Sequence, residues 1–144
     1  MLSKAIAIAA KTFEGVKDRG GKPYILHCMR VMLWLNSDDE ELNSIAILHD
    51  VPEDDERDSE IVLDELRSLG FSMRVISALT LLTHDPSVPY DDYIKMLALN
   101  EDARRVKLSD LKDNSDITRL KGLTKKDFDR LEKYSRSFVY LSKV

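Results

Sequence analysis

The sequence predicts an all-α fold, and three observations carry that reading. Apolar residues recur at helical spacing along most of the 144 residues. Only five Gly and four Pro punctuate them, and no stretch alternates strictly in the manner of a strand. Leu2, Ile6, Ala9, Phe13 and Val16 form the first amphipathic helix. Ala5 to Ala10 superficially resembles a secretory core, but it is too short to span a bilayer and is followed at once by charged residues. A cytoplasmic protein without a membrane partner is expected.

After Gly20-Gly21, Pro23 suits the first turn of a second helix reaching about Leu35, with Ile25, Met29, Met32 and Leu33 inward. Trp34 and the internal Met residues read as core. Asp38 to Glu41 favour a helix N-terminus, and the run from Leu42 to Leu48 continues into His49 and Asp50. Ile61, Val62, Leu66 and Leu69 precede a stop at Gly70, and Ser72 caps the next helix with Val75, Ile76, Leu79 and Leu82 inside. The loop from His84 to Pro89 is the strongest break. Helical segments follow over about Tyr90 to Leu99 and Glu101 to Leu120, and Thr124 with Asp127 forms a capping-box start for the last helix. One domain spanning residues 1–144 is expected.

Composition narrows the chemistry. Lys plus Arg is 22 and Asp plus Glu is 26, a net charge of −4, and aromatic residues are sparse, so no nucleic-acid partner is expected. The single Cys28 excludes an intramolecular disulfide framework and a multi-cysteine zinc site. There is no phosphate-binding glycine loop and no nucleophile elbow.

What remains is histidine and carboxylate. The segment Leu48-His49-Asp50-Val51-Pro52-Glu53-Asp54 stacks four metal-capable or proton-transferring groups around one helix end, if the helix continues through it. A hydrogen-bonded core histidine and a solvated acidic loop are the alternative reading. In the second constellation, Val106 to Asn114, the residues Lys107, Asp110, Asp113 and Asn114 share one helix face. An exposed Lys–Asp pair is the bland alternative there. His84 reads as a surface histidine, with a pocket-rim position as the alternative, and Tyr90 and Tyr93 as core or rim packing, with stacking on a base as the alternative.

The order His27, His49-Asp50, Asp110 resembles the HD-domain superfamily of metal-dependent phosphohydrolases. Gly21 to His27, His-Asp-x-x-Glu-Asp at 49–54 and Val106 to Asn114 resemble, more narrowly, the hydrolase domain of RelA/SpoT proteins, over about residues 5–120. The resemblance implies a compact HD helical bundle, as a small stand-alone member, with one divalent metal on His27, His49, Asp50 and Asp110. The resemblance implies manganese, Mn2+, as that metal; two imidazoles and two carboxylates form a nitrogen and oxygen set compatible with it, which leaves zinc and iron open. Glu53 and Asp54 fall on the pair implicated in activating or positioning the attacking water. Asn114 matches a nucleotide-contacting position, and Arg19 with Lys22 would meet a base or phosphate. The implied reaction is cleavage of (p)ppGpp at its 3′ position, releasing pyrophosphate.

Three departures keep other readings open. Asp18-Arg19 stands where the family has two adjacent basic residues, which leaves room for another nucleotide, such as a nucleoside 5′-monophosphate or an NADPH-type 2′-phosphate. Pro52 is expected to kink the segment and re-aim Glu53 and Asp54, the motive for a non-catalytic metal-binding sensor module. Asp55 replaces a frequent Thr. Oligomeric state is not legible.

Overall fold

The computed structural model describes residues 1–144. It contains nine α-helices, a 3-10 turn at Ile117–Arg119, and one isolated antiparallel bridge between Lys17 and Pro23. In chain order the helices are α1 (Leu2–Thr12), α2 (Ile25–Trp34), α3 (Glu40–Leu48), α4 (Val51–Asp54) and α5 (Ser59–Ser68). They continue with α6 (Met73–Leu82), α7 (Tyr90–Leu97), α8 (Glu101–Asn114) and α9 (Lys125–Lys143). The all-α expectation holds. None of the helices is long and apolar enough to cross a membrane.

The bundle is built around α3. Leu42 and every residue from Ser44 to Leu48 are buried, so this helix is covered on all sides, by α1, α2, α6 and α8. Asp39 starts it by accepting from the Glu41 and Leu42 amides at 3.0 and 3.2 Å, satisfying donors that a helix N-terminus leaves free. Ser72 and Asn100 cap α6 and α8 in the same way. At α9 the capping box is complete: Asp127 accepts from the Thr124 amide at 2.8 Å, and Thr124 Oγ1 from the Asp127 amide at 3.4 Å.

Several expectations are corrected. The first helix stops at Thr12, leaving Phe13 buried and Val16 exposed. The inward residues of α2 are His27, Cys28 and Val31, whereas Leu33 is 67% and Trp34 48% exposed. Apolar residues surround this helix, so periodicity does not single out the inward face; the imidazole of His27, held by polar partners below it, does. Trp34 finds compensation in Lys112, whose Nζ lies 3.7 Å from the ring centroid. Met29, Met73 and Met96 are likewise exposed rather than core. The helix through Asp110 ends at Asn114, not Leu120, because Asp116 caps a separate 3-10 turn.

The largest correction concerns Pro52. The helix that carries the run from Leu42 to Leu48 does not reach it. Helix α3 ends at Leu48, the chain turns through His49 and Asp50, and α4 restarts with Pro52 in its first turn, where no amide hydrogen bond is required. The main-chain bonds from Asp54 to Asp50 (3.0 Å) and Asp55 to Val51 (3.1 Å) are intact, so proline begins a short helix instead of kinking a long one.

The exposure contrast sets a stability expectation. Leu79→Ala, at a fully buried site, should lower unfolding stability by about 2–5 kcal/mol, while Leu33→Ala should stay within about 0.5 kcal/mol; urea unfolding of both variants checks this.

Candidate metal centre

Three parts of the bundle converge on one point. Helix α2 brings His27, the turn between α3 and α4 brings His49 and Asp50, and α8 brings Asp110. One donor atom from each lies within 4.8 Å of all the others. His27 Nε2 is 3.1 Å from Asp110 Oδ1 and 3.5 Å from Asp50 Oδ2, and His49 Nε2 is 3.3 and 3.0 Å from the same two oxygens. Both imidazoles and Asp110 are almost fully buried.

Both Nδ1 atoms are engaged, His27 with Asp113 Oδ2 and His49 with the Ala46 carbonyl, each at 2.7 Å. Both Nε2 atoms are buried, and their close carboxylate contacts lack hydrogen-bond geometry. With Nδ1–H donating outward, Nε2 is the atom each ring presents to the two carboxylates, and it offers a lone pair to an ion once its proton is displaced. Two such nitrogens and two carboxylate oxygens are a donor set that fits a divalent metal ion.

The carboxylates are held as firmly as the rings. Tyr24 donates its hydroxyl to Asp50 Oδ2 at 2.5 Å; Lys107 Nζ and Asn114 Nδ2 donate to Asp110 at 2.9 and 2.8 Å. Lys107 is largely buried, so its contact with Asp110 is an interior ion pair and not the exposed one weighed above. Burial opposes charge on His27, but the facing carboxylates of Asp110, Asp113 and Asp50 lift its pKa to about 11. Burial opposes charge on His49 too, and Asp50 and Asp110 lift it to about 10. Asp50 and Asp110 move the other way despite burial, held far below the usual carboxylate range, Asp50 chiefly by His49 and Asp110 chiefly by Lys107.

Helix α4 places Glu53 and Asp54 at the rim, in contact with solvent. Glu53 Oε1 accepts from the His84 amide at 2.6 Å. Partial desolvation raises the pKa of both groups, and the Asp50 and Glu53 charges help push Asp54 up to about 6.

Two cavities meet here. One, of about 250 Å3, is lined by His49, Asp50, Asp110, Glu53 and Asp54, with Lys107 and Lys133 adding positive charge. The other, of about 320 Å3, is lined by Lys17, Arg19, Arg119 and Arg130 beside Asp18, Asp116 and Asp127. Tyr24, Asn114 and Tyr134 line both, so they form the partition between them. Arg19 is paired with Asp127 at 2.5 Å. Lys22 lines neither cavity; its amide binds Asp18 Oδ1 across the turn.

Other wall residues depart from the preferred sequence expectation or were not foreseen by it, His84 taking the pocket-rim alternative. His84 is a correction: it is half-buried, stacks on Tyr93 with ring centroids 4.5 Å apart, and lines the metal-side cavity. Lys133 and Tyr134 come from α9, beyond the motif-bearing stretch, and no spacing rule connects them to Asp110. Tyr24 and Lys107 lay inside the quoted motifs, but nothing in spacing showed which atoms they would hold.

No family model matches the sequence, and no curated protein matches it. Solved structures do match. One is a metazoan ortholog of SpoT that hydrolyses ppGpp and plays a role in starvation responses: identity is 21%, the TM-score is 0.76, and the match covers 97% of this chain and 84% of that one. The two chains share one fold.

At neutral pH both metal-free imidazoles carry protons, which an ion must displace. Metal loading at pH 7 should release about two protons per ion, and affinity should fall as pH is lowered; calorimetry in buffers of different ionisation enthalpy reads both. For metal-free protein the sign follows from the raised folded pKa values. The stabilisation from the paired imidazoles is complete below about pH 6.5 and should be lost as pH rises through about 10 to 11, visible as a falling melting temperature.

Proposed function

We propose that this chain is a divalent-metal-dependent phosphohydrolase of the HD type, using manganese to remove the 3′-pyrophosphate of ppGpp or pppGpp. The observation that carries the reading is the convergence of the His27, His49, Asp50 and Asp110 donor atoms within 4.8 Å, beside a cavity that shares three wall residues with a second one holding four cationic side chains. A fold shared with a ppGpp-hydrolysing SpoT ortholog supports the substrate assignment. When bound, the metal supplies Lewis-acid polarisation of a phosphoryl oxygen and of water.

The chain's own residues do the rest. Lys107, engaged with Asp110, and Lys133 supply fixed positive charge in the wall facing the phosphate. Asp54, with its pKa near 6, is poised to accept a proton from the attacking water at neutral pH. Glu53, tethered to the His84 amide, orients that water. The nucleoside lies across the partition, with Asn114 and Tyr134 against it and Arg19 and Arg119 toward its remaining phosphates.

A second reading, in which another phosphorylated nucleotide is the substrate, rests on Asp18 and on the Arg19–Asp127 pair. Together they reduce the positive charge free to meet a base or phosphate.

The test is separate assay of pyrophosphate and orthophosphate from ppGpp and a nucleotide panel, with and without manganese. Pyrophosphate from ppGpp that requires manganese is expected; orthophosphate from a monophosphate would transfer the site to the second reading. Asp54→Asn should lower kcat about 100- to 10,000-fold while leaving manganese affinity intact, as kinetics and metal titration of one preparation would read. Because Asp54 must be ionised to act as a base, the wild-type rate should climb as pH rises through about 6 and then level off, a limb that Asp54→Asn loses.

A further inference from the structure

We infer that Asp113 is the positioning residue for the metal ligand His27, through a carboxylate–imidazole pair whose charge is balanced by two arginines. The inference rests on the metal-site reading above but not on the substrate. Asp113 is 2% exposed, and a buried carboxylate is tolerated only when it is paired and hydrogen-bonded. Its partners are specific. The His27 ring nitrogen Nδ1 lies 2.7 Å from Oδ2; Arg30 Nε donates to Oδ1 at 2.7 Å and a second Arg30 nitrogen to Oδ2 at 3.2 Å. Arg119 donates to Oδ2 at 3.0 Å and to the Asp113 main-chain carbonyl at 2.6 Å.

The arrangement does two things for His27. It keeps the proton on Nδ1, leaving Nε2 as the atom that faces Asp50 and Asp110, and it fixes the ring plane. The two arginines let Asp113 stay ionised, so its charge polarises the ring without taking its proton. His49 lacks this support: its Nδ1 donates to a neutral carbonyl, Ala46 O. The two histidines are therefore unequal, and His27 is the stronger donor to a metal. Asp113 lines neither cavity, so substrate contact does not explain its burial.

Manganese affinity, measured by competition with a fluorescent chelator on metal-stripped full-length protein, tests this. Asp113→Asn should weaken manganese binding about 10- to 100-fold in a chain that remains folded by circular dichroism. Arg30→Gln provides a milder variant, because Arg30 lines neither cavity and its loss leaves the Asp113–His27 contact in place; it should weaken manganese binding less, in the same direction. A merely structural Asp113 would lower the melting temperature and leave affinity unchanged. Wild-type affinity in whichever of the two variants fold overturns the assignment. A wild type that binds manganese but leaves ppGpp intact defeats the substrate reading alone, whereas one that binds no manganese defeats both.

Discussion

The structure depends on holding two carboxylates and two imidazoles together in a nearly dry interior. Asp50 and Asp110 repel one another, and His27 and His49 lose hydration when buried. Such a cluster persists because opposite charges alternate and because every group is also held from behind. Tyr24 holds Asp50, Lys107 and Asn114 hold Asp110, Asp113 holds His27, and a main-chain carbonyl holds His49. Those partners come from α3, α8 and the approach to α2, so the polar centre links elements that the apolar core also joins. Removing one partner leaves a buried polar group uncompensated, which costs far more than the bond itself contributes.

The central helix makes the arrangement possible by stopping. An uninterrupted helix through residues 42–54 would project His49, Asp50, Glu53 and Asp54 along one rod. The turn at His49 and Asp50 instead points both side chains into the centre and starts α4 in a new direction, with Glu53 and Asp54 at the rim. Pro52 fits this geometry without strain because a first-turn proline has no helical hydrogen bond to lose. The residue that looked disruptive within a helical motif is compatible with Glu53 and Asp54 standing together at the rim.

The last helix closes the site from outside the motif region. It brings Lys133 and Tyr134 to the cavity walls and ties the turn before Pro23 to itself through Arg19 and Asp127. Gly20 belongs to that turn for a local reason: a Cβ there would stand 2.5 Å from the Arg119 carbonyl, so the loop approaches the 3-10 turn closely only without a side chain. The larger cavity is thus a product of the turn at residues 17–24 and of two segments about a hundred residues further along the chain, 114–120 and 127–134.

Helix content, the caps at Ser72 and Thr124, and the order of the four metal-capable residues were legible in the sequence, because capping and periodicity are local and the motif is carried by residue types. The sequence did not specify which face of α2 turns inward, since apolar residues occupy several of its faces, and Trp34 and Leu33 lie outside as a result. Nor did it specify the role of His84, the burial of Lys107, or the pairing of Asp113 with a histidine 86 positions away. Those are distances between segments, and they are set only when helices pack and each buried charge must find its partner. The sequence by itself determined which groups were available; the tertiary structure decided which of them meet.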